Sequence, residues 1–341
     1  MRAIVLVAPG RLEMGEVPTP QPRAGEVRIR TAACGVCATD LAMIDGNTRV
    51  RPPAILGHEW SGVVDAVGPG VEAALVGRRC VAENVLAGGG EVGFEHPGGY
   101  GEFLVTASAN VQVLPDDFDL AAAALIEPLA VCVRAMGRLG LTNKRAALIF
   151  GDGAIGLLML ALLKRAGVAD VTLVGGRAGR LPLARELGAT QVLNYHEASF
   201  DLAVVIAQAV CHPSRASGSS DGPSWPAVQG FVNVVEASGS AAAMQAALDL
   251  ASPGGKVLVI GDYGEARADF PWNLLLHHEL QIIGSNASAG AWPEAVRLAT
   301  DPGFPLARLV SARLPAARFA EAIDLVRSRR GDIVKVIMEW T

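Results

Sequence analysis

One short stretch limits the folds open to this 341-residue chain more than any other. It runs from Ala146 to Leu160 as an apolar segment, a glycine-rich loop and a second apolar segment that is rich in leucine. The loop reads Gly151-Asp152-Gly153-Ala154-Ile155-Gly156. This order predicts a buried strand, a tight turn and a helix, which together begin a βαβ unit.

The spacing G-x-G-x-x-G in this setting is typical of dinucleotide-binding folds. Gly151 permits the turn, Gly153 lets the backbone approach a pyrophosphate, and Gly156 lets the helix pack close to the strand. The first N–H groups of the helix then face the phosphates. The motif alone is weak, because 39 glycines make chance matches easy, and the alternative is a glycine turn in another α/β unit. We assign these loop residues to the cofactor site: Gly151, Gly153, Ala154, Ile155 and Gly156.

The side chain inside this loop that does not suit a phosphate is Asp152. A carboxylate gains nothing beside a negatively charged phosphate. We therefore expect the Asp152 side chain to point outward, away from the bound dinucleotide.

Composition and charge exclude several classes of protein. The chain is 51% hydrophobic and 18% charged, with a net charge of −5 and no long block of Lys and Arg, so neither nucleic acid nor an anionic membrane surface is an expected partner. No apolar run is long enough to span a bilayer, and the segment Met1–Val7 predicts a strand and not a signal peptide. Five cysteines, an odd number, do not form a disulfide framework, so we expect a reducing, cytoplasmic location.

The pattern of the chain changes near Leu120. The part before it contains short strands and turns, as in Val27–Ala32 and Gly62–Gly68. A helix is predicted over Ala121–Leu139, and strands then alternate with helices. This alternation predicts an α/β fold with a doubly wound parallel sheet of the Rossmann type. Residues 213–223 are rich in Ser, Gly and Pro and predict an exposed insertion.

The first part of the chain carries a candidate metal site. Cys34 and Cys37 form a C-x-x-C pair, and His58 and Glu59 follow after about twenty residues. The two cysteines could be half of a structural zinc site, but no second C-x-x-C completes it. They could also be a redox pair, although no thioredoxin-like βαβ unit accompanies them. A lone His58 would be structural more often than a ligand.

Several motifs taken together resemble one family. Cys37-x-Thr39-Asp40, Gly57-His58-Glu59, Glu127-Pro128-Leu129 and then the glycine loop stand in the order found in the medium-chain dehydrogenase/reductase superfamily, in its zinc-dependent alcohol and polyol branch. The resemblance covers nearly the whole chain. It implies a Rossmann dinucleotide-binding domain over residues 128–285 and a β-rich, GroES-like catalytic domain over residues 1–127 and 286–341.

The resemblance also implies a role for each matched side chain. Cys37 and His58 would bind a catalytic zinc, Glu59 would be a third or exchanging ligand, and Glu127 would bind the metal directly or through water. Thr39 would hydrogen-bond the substrate hydroxyl. Two further expectations concern residues that do not touch the ion: Asp40 would orient a ligand, and Cys34 would have no ligand role. A zinc with an open position promotes loss of the alcohol proton, and the nicotinamide accepts the hydride.

Two departures from the family pattern matter. Ala42 stands where the family usually has a histidine that ends a proton relay, which leaves open what completes that relay. Between Cys80 and Tyr100 there is no cysteine, whereas many members carry four there for a structural zinc. We therefore predict one catalytic zinc per chain and no structural zinc.

The end of the second Rossmann strand predicts which nicotinamide is used. An NAD enzyme places an acid about 20 residues after the glycine loop, to hold the ribose 2′-hydroxyl. Here Val171–Val174 leads into Gly175-Gly176-Arg177, with Arg180 close behind. The missing acid and the Arg donors favour NADP(H) over NAD(H), and the tip is similar to that of NADP-dependent members, as is the position of Tyr195. The alternative is that both arginines are ordinary surface charges.

The expected function is a zinc-dependent oxidoreductase that transfers hydride between NADP(H) and a secondary alcohol, polyol or sugar, or the matching carbonyl. One alternative is a zinc-free quinone or enoyl reductase of the same superfamily, and another is a non-catalytic NADPH-binding protein. The intact Cys37, His58 and Glu59 set favours the zinc enzyme over both. The resemblance implies a homodimer or homotetramer.

Overall fold

The computed structural model describes residues 1–141, 143–197, 200, 230–267, 269–328 and 331–340. The predicted insertion at residues 213–223 lies outside these ranges, as does the rest of the segment 201–229 of the predicted Rossmann domain. The chain divides into two compact units, Met1–Val131 with Ser288–Thr341, and Cys132–Ala287. Within the described ranges no helix has the length and apolar character needed to cross a membrane.

The first unit is built on antiparallel strands. Its central strand, Glu26–Val36, pairs along one edge with Glu59–Val67. Along the other edge it pairs with Phe103–Ala107 beside its first residues and with Lys335–Glu339 beside its last. The described strands form a seven-stranded sheet in the order β14-β15-β3-β4-β5-β7, with β6 also on β3, beside a β1-β2 hairpin. Their bounds are β1 Arg2–Ala8, β2 Arg11–Glu16, β3 Glu26–Val36, β4 Glu59–Val67, β5 Arg79–Ala82, β6 Phe103–Ala107, β7 Val111–Val113, β14 Val310–Pro315 and β15 Lys335–Glu339.

The sheet of this unit packs around a hydrophobic core together with helices of four to fourteen residues. Its core contains large, fully buried side chains, among them Trp60, Tyr100 and Leu56, which give the sheet a hydrophobic face. The helices, numbered along the whole chain, are α1 Ala38–Ile44, α2 Leu120–Ala123, α3 Ile126–Leu139 (which runs into the second unit), α8 Trp292–Ala299 and α9 Phe319–Arg327.

The predicted helix over Ala121–Leu139 is two helices, α2 and α3, with a turn between them. The break has a physical cause in Pro128, which has no N–H to donate to the carbonyl of Ala124 and so is tolerated only in the first turn of α3. Asp119 closes the start of α2 by accepting a hydrogen bond from the N–H of Ala121 at 3.0 Å. The break places Glu127 at the start of α3.

The second unit contains a six-stranded parallel sheet in the order β10-β9-β8-β11-β12-β13. The chain moves outward from β8 in one direction through β9 and β10, then returns and moves outward in the other direction. The strands are β8 Ala146–Phe150, β9 Asp170–Gly175, β10 Gln191–Asn194, β11 Phe231–Glu236, β12 Ala251–Val259 and β13 Gln281–Gly284. The described helices of this unit, besides the end of α3, are α4 Ala154–Arg165, α5 Leu181–Glu186, α6 Ala241–Asp249 and α7 Trp272–His278.

The sequence of these strands explains the sheet type. Ala146–Phe150 is buried at every position, and Phe231–Glu236 is buried at all but one, because helices cover both faces of a parallel sheet. The first residues of α4 after the loop are apolar all round, and Gly156–Leu163 is buried throughout. The predicted α/β fold with a Rossmann sheet and a β-rich GroES-like module is confirmed. The reversal of strand order between β8 and β11 creates the crevice where such sheets bind ligands.

Candidate metal centre and cofactor loop

Three predicted ligands meet in the first unit. One donor atom from each of Cys37, His58 and Glu59 lies within 4.8 Å of the other two. Cys37 is half-buried at the end of β3, directly before α1, while His58 and Glu59 are buried where β4 begins. Gly57, with φ of +95°, makes the turn into this strand, and a Cβ there would lie 2.8 Å from the sulfur of Cys34. A turn and a strand end thus bring a thiol, an imidazole and a carboxylate together.

Asp40 joins two of these residues from a fully buried position. Its Oδ2 accepts a hydrogen bond from the backbone N–H of Cys37 at 2.8 Å, as part of the capping box of α1. Its Oδ1 lies 3.3 Å from Nδ1 of His58. Burial lowers the pKa of His58, but the charge of Asp40 raises it, and the net pKa is well above its usual value. With Nδ1 facing Asp40, Nε2 of His58 is the nitrogen left to bind an ion.

Two residues that sequence reasoning missed hold His58 in place. The side-chain amide of Asn84 donates a hydrogen bond to the carbonyl of His58 at 2.7 Å and accepts one from Nε1 of Trp60 at 2.9 Å. The ring of Phe94 lies against the imidazole, with ring centroids 4.7 Å apart. Neither residue belongs to a recognisable motif, so their contacts become visible only in the fold.

Glu59 has a buried partner that the motifs did not reveal. Nζ of Lys335 donates hydrogen bonds to both carboxylate oxygens of Glu59, at 2.6 and 2.7 Å. Burial lowers the pKa of Lys335, but the charge of Glu59 raises it, and the net pKa lies above its usual value. The available signal was one lysine within the apolar strand Lys335–Glu339, because a buried lysine requires a partner.

The remaining residues predicted for this site lie around the cluster. The hydroxyl of Thr39 accepts a hydrogen bond from the thiol of Cys37 at 3.6 Å. Glu127 lies outside the group of atoms within 4.8 Å, and burial raises its pKa to about 7, with His58 and Glu59 as further charges acting on it. Cys34 is fully buried, and burial raises the pKa of its thiol well above the usual value.

The glycine loop has the close contacts that its spacing implies. Gly151 follows β8 with φ of +119°. A Cβ on Gly156 would lie 2.0 Å from the carbonyl oxygen of Gly151, so the helix start and the strand end touch at that point. A Cβ on Gly153 would meet only Nη1 of Arg180, at 3.9 Å, which leaves one face of the loop open. The backbone N–H groups of Ala154 and Ile155 belong to the first turn of α4, where helices leave such donors unpaired.

The expectation that Asp152 points outward is wrong. Its side chain is 6% exposed, and Oδ2 accepts hydrogen bonds from the backbone N–H groups of Gly176 at 2.8 Å and Arg177 at 2.7 Å. The reason is that the N–H groups after β9 need acceptors, and a carboxylate one strand away satisfies two of them at once. Its other oxygen lies 3.4 Å from Nη1 of Arg177 and 3.7 Å from Nη1 of Arg180.

The tip of β9 is narrow. A Cβ on Gly175 would lie 2.7 Å from Cβ and Oδ2 of Asp152, and a Cβ on Gly176 would lie 2.4 Å from the ring of Tyr195. Arg177 has a side chain that is 32% exposed, whereas that of Arg180 is 9% exposed. All five predicted residues at the strand tip therefore lie in one neighbourhood, with the Asp152 carboxylate on one side and the Tyr195 ring on the other.

Comparison with known proteins agrees with this geometry. The model of the alcohol dehydrogenase GroES-like domain matches residues 23–116, and that of the zinc-binding dehydrogenases matches residues 154–301. The chain belongs to the zinc-binding dehydrogenases. The predicted membership of the medium-chain superfamily, in its alcohol and polyol branch, is confirmed, and the protein is an oxidoreductase that uses zinc and a nicotinamide cofactor.

Relatives of this dehydrogenase match it from end to end. D-arabitol-phosphate dehydrogenase from Enterococcus avium is 28% identical and aligns with 99% of this chain and 97% of its own. The crystal structure of an Escherichia coli CFT073 alcohol dehydrogenase (rspB) with NADH has 25% identity, covers 99% of both chains and gives a TM-score of 0.87. That of a zinc-binding dehydrogenase from Sinorhizobium meliloti 1021 with NADP has 25% identity, covers 99% and 98%, and gives 0.85.

The donor set of the dehydrogenase fits zinc. Zinc binds thiolate, imidazole and carboxylate in a tetrahedron at about 2.0–2.3 Å, which sets donor atoms about 3.3–3.8 Å apart. Cys37, His58 and Glu59 supply one donor of each kind within 4.8 Å of one another, so small side-chain movements suffice. The orientation of His58 by Asp40 is the arrangement that zinc-binding imidazoles need.

Proposed function

We propose that this dehydrogenase oxidises a secondary hydroxyl of a polyol or sugar, or reduces the matching carbonyl, at a zinc ion held by Cys37 and His58 with Glu59 and Glu127 as the carboxylates. The observation that carries this proposal is the convergence of Cys37, His58 and Glu59. Zinc, when bound, supplies a Lewis acid that polarises the substrate oxygen. The polyol class is supported by the Glu127-Pro128-Leu129 pattern and by the relative that acts on D-arabitol phosphate.

The protein side chains have separate tasks in this proposal. Thr39, exposed next to the Cys37 sulfur, hydrogen-bonds the substrate hydroxyl. Asp40 holds the Cys37 backbone and the His58 ring, so that both ligands keep one orientation. Glu127, at the start of α3, supplies a further carboxylate that binds the metal directly or through water.

The cofactor in this proposal is NADP(H), with NAD(H) as the poorer one. Support comes from the tip of β9, where Gly175 and Gly176 stand in place of an acid. The side chain of Arg177 is 32% exposed, and its guanidinium carries five donors, which suits a 2′-phosphate. Gly151, Gly153, Ala154, Ile155 and Gly156 cradle the pyrophosphate, while Arg180 and Tyr195 complete the adenosine end.

The proposal includes one zinc per chain. In the described part of the chain, the group Cys37, His58 and Glu59 is the one set of three or more candidate ligands that lie close together. The segment from Val85 to His96, where a structural-zinc lobe would lie, is tied instead by isolated bridges between Val85 and Glu91 and between Val92 and His96.

We also propose that two copies pair through the edge of the Rossmann sheet. Among the described strands, β13 is the last in the order of the sheet, so its outer edge can pair with a strand of another chain. Ile282 on this strand is 39% exposed, and the nearby helix α7 exposes Trp272 by 71% and Leu276 by 69%. A homodimer, or a tetramer built from it, would cover these side chains.

Zinc content and turnover on one preparation test the main proposal. We expect about one zinc per chain, NADP-linked oxidation of some member of a panel of plain and phosphorylated polyols and secondary alcohols, and loss of turnover with a chelator. Cys37→Ser and His58→Ala should lose both zinc and turnover, while Cys80→Ala, a buried cysteine outside the cluster, should keep both. Turnover of a quinone or enoyl substrate without zinc would establish the reductase alternative, and NADPH binding without any turnover the non-catalytic one.

A further inference from the structure

A carboxylate lies at the expected adenosine end of the cofactor site, but it belongs to the glycine loop and not to the tip of the second Rossmann strand. The acid typical of NAD enzymes stands at the tip of the second Rossmann strand. Here the tip is Gly175, and the nearest carboxylate is that of Asp152, which reaches across from the glycine loop. The space that a side chain on Gly175 would need is already filled, since its Cβ would lie 2.7 Å from Oδ2 of Asp152.

The Asp152 carboxylate is poorly placed to hold the ribose diol itself. Its side chain is 6% exposed, and Oδ2 already accepts two backbone N–H groups, at 2.7 and 2.8 Å. Its Oδ1 faces Nη1 of Arg177 and Nη1 of Arg180. A carboxylate has about four acceptor positions; three hydrogen bonds use most of them, and Arg180 adds an ion pair at 3.7 Å. About a third of the Arg177 side chain stays exposed to solvent.

We infer that Asp152 is the positioning residue for recognition of the adenosine 2′-phosphate. It fixes the backbone after β9, holds Arg177 with its remaining donors turned outward, and excludes the acid that would select NAD. Two guanidiniums lie beside this one carboxylate, a donor set that suits a phosphate. This inference rests on the proposed preference for NADP, and it adds the residue that produces the preference.

Binding of two cofactor fragments to the full-length protein tests the inference without any need for turnover. Adenosine 2′,5′-bisphosphate carries the 2′-phosphate and 5′-AMP lacks it, so the ratio of their dissociation constants measures recognition of that group. We expect the wild type to prefer the bisphosphate by at least about thirtyfold, and Asp152→Asn to weaken its binding about tenfold, the size of one charge-assisted hydrogen bond. Binding of 5′-AMP should change less than about threefold.

Asp170→Asn is the matched control, because it removes a carboxylate from the exposed start of the same strand. It should leave both dissociation constants unchanged. If the wild type binds the two fragments equally, the proposed NADP preference fails and the role of Asp152 with it. If the wild type discriminates and Asp152→Asn keeps the ratio, the inference alone fails. Tighter bisphosphate binding by Asp152→Asn also overturns it, because Asp152 would then act as a repelling charge.

A second pair of variants tests whether Asp152 fills the space that a side chain at Gly175 would need. This test does not depend on how the amide of the Asp152→Asn variant packs. Gly175→Asp alone should lose affinity for both fragments, because its Cβ meets the Asp152 side chain. Asp152→Ala together with Gly175→Asp should restore binding of 5′-AMP and of NAD, while the bisphosphate stays weak, since the acid now stands at the strand tip. Equal NAD affinity of the single and the double variant would show that Asp152 does not block the position.

Discussion

At the scale of single residues, the candidate metal centre contains two buried, oppositely charged side chains that touch although they are far apart in the sequence. Glu59 lies 276 positions before Lys335, and the pair is almost fully shielded from water, with side chains 2% and 6% exposed. Such a pair adds little net stability compared with apolar residues, but removal of one partner leaves an uncompensated charge. Its role is therefore to fix where the Glu59 carboxylate lies.

Lys335→Met should lower the free energy of unfolding of the metal-free protein by about 3–5 kcal/mol, because the Glu59 carboxylate loses both hydrogen bonds in a buried site. Combining Lys335→Met with Glu59→Gln should recover at least about half of that loss, since the unpaired charge is gone. Urea unfolding measures both. The exposed Lys144→Met is the control, with an expected change below about 0.5 kcal/mol. A loss under about 1 kcal/mol for Lys335→Met would contradict this account.

Asp40 should affect the metal without touching it. Asp40→Asn keeps the shape of the side chain but removes the charge beside Nδ1 of His58, and we expect zinc affinity to fall about 10–100-fold. Competition with a chromophoric chelator measures this affinity directly. Asp116→Asn, whose side chain is 85% exposed, should bind zinc as the wild type does. Unchanged affinity in Asp40→Asn would assign Asp40 to the capping of α1 alone.

At the scale of elements, the glycine loop between β8 and α4 contains one glycine that packing requires and another that, we predict, cofactor binding requires. Gly156 is needed for packing, because a Cβ there would lie 2.0 Å from the Gly151 carbonyl oxygen, whereas a Cβ on Gly153 meets no atom closer than 3.9 Å. Two glycines of the same motif therefore have different reasons to lack a side chain. Gly156 is required for packing, and we expect Gly153 to be required by the ligand.

Alanine substitutions distinguish these reasons. Gly156→Ala should lower the melting temperature by several degrees, because the loop and the helix must move apart. Gly153→Ala should keep the melting temperature within about 2 °C and weaken binding of NADPH at least tenfold, because its methyl group stands where the pyrophosphate approaches. Thermal unfolding and fluorescence titration measure the two effects. Similar effects of both substitutions on both quantities would contradict the separation.

How much the sequence predicts also differs between elements. The run Phe231–Glu236 predicts a strand, and the structure has it at the same residues, because a strand buried on both faces is a continuous apolar run. The run Lys256–Gly261 also predicts a strand, but β12 begins earlier, at Ala251, which pairs with Phe231. Pairing with β11 resumes at Lys256 after an irregularity that contains Pro253 and Gly254, where propensity favours a turn. The motif residues of the candidate metal site are readable from the sequence, but Asn84 is not, because contacts across the sheet leave no local pattern. Lys335 is visible as a lysine within an apolar strand, but its pairing with Glu59 is not.

Asp152 shows a different limit of prediction. Its position in the glycine loop is plain in the sequence, and its charge, compared only with that of a phosphate, predicts a side chain that points outward. The backbone N–H groups of Gly176 and Arg177, which need acceptors after the strand ends, outweigh that repulsion. Buried backbone N–H groups always need acceptors. Which side chain accepts them depends on which residues the neighbouring strand brings close, and that is known only from the fold.

At the scale of the whole molecule, the proposed pairing of two copies can be tested by mass. Ile282→Lys places a charge in the middle of the edge strand β13, which disfavours pairing of edges without disturbing the core. We expect light scattering after gel filtration to give half the wild-type mass at the same concentration. Val76→Lys, at an exposed position in the first unit, should keep the wild-type mass. A monomeric wild type, or an Ile282→Lys variant of unchanged mass, would contradict the pairing.

The long separation between Glu59 and Lys335 has a consequence for how the enzyme is made. A ribosome synthesises Cys37, His58 and Glu59 early, and it reaches the strand that carries Lys335 only after 276 further residues have left the peptidyl-transferase centre. Until then the Glu59 carboxylate has no ammonium group to steady it. With the proposed ligands, we therefore expect the metal to be bound in its final geometry only after the entire Rossmann unit has been synthesised.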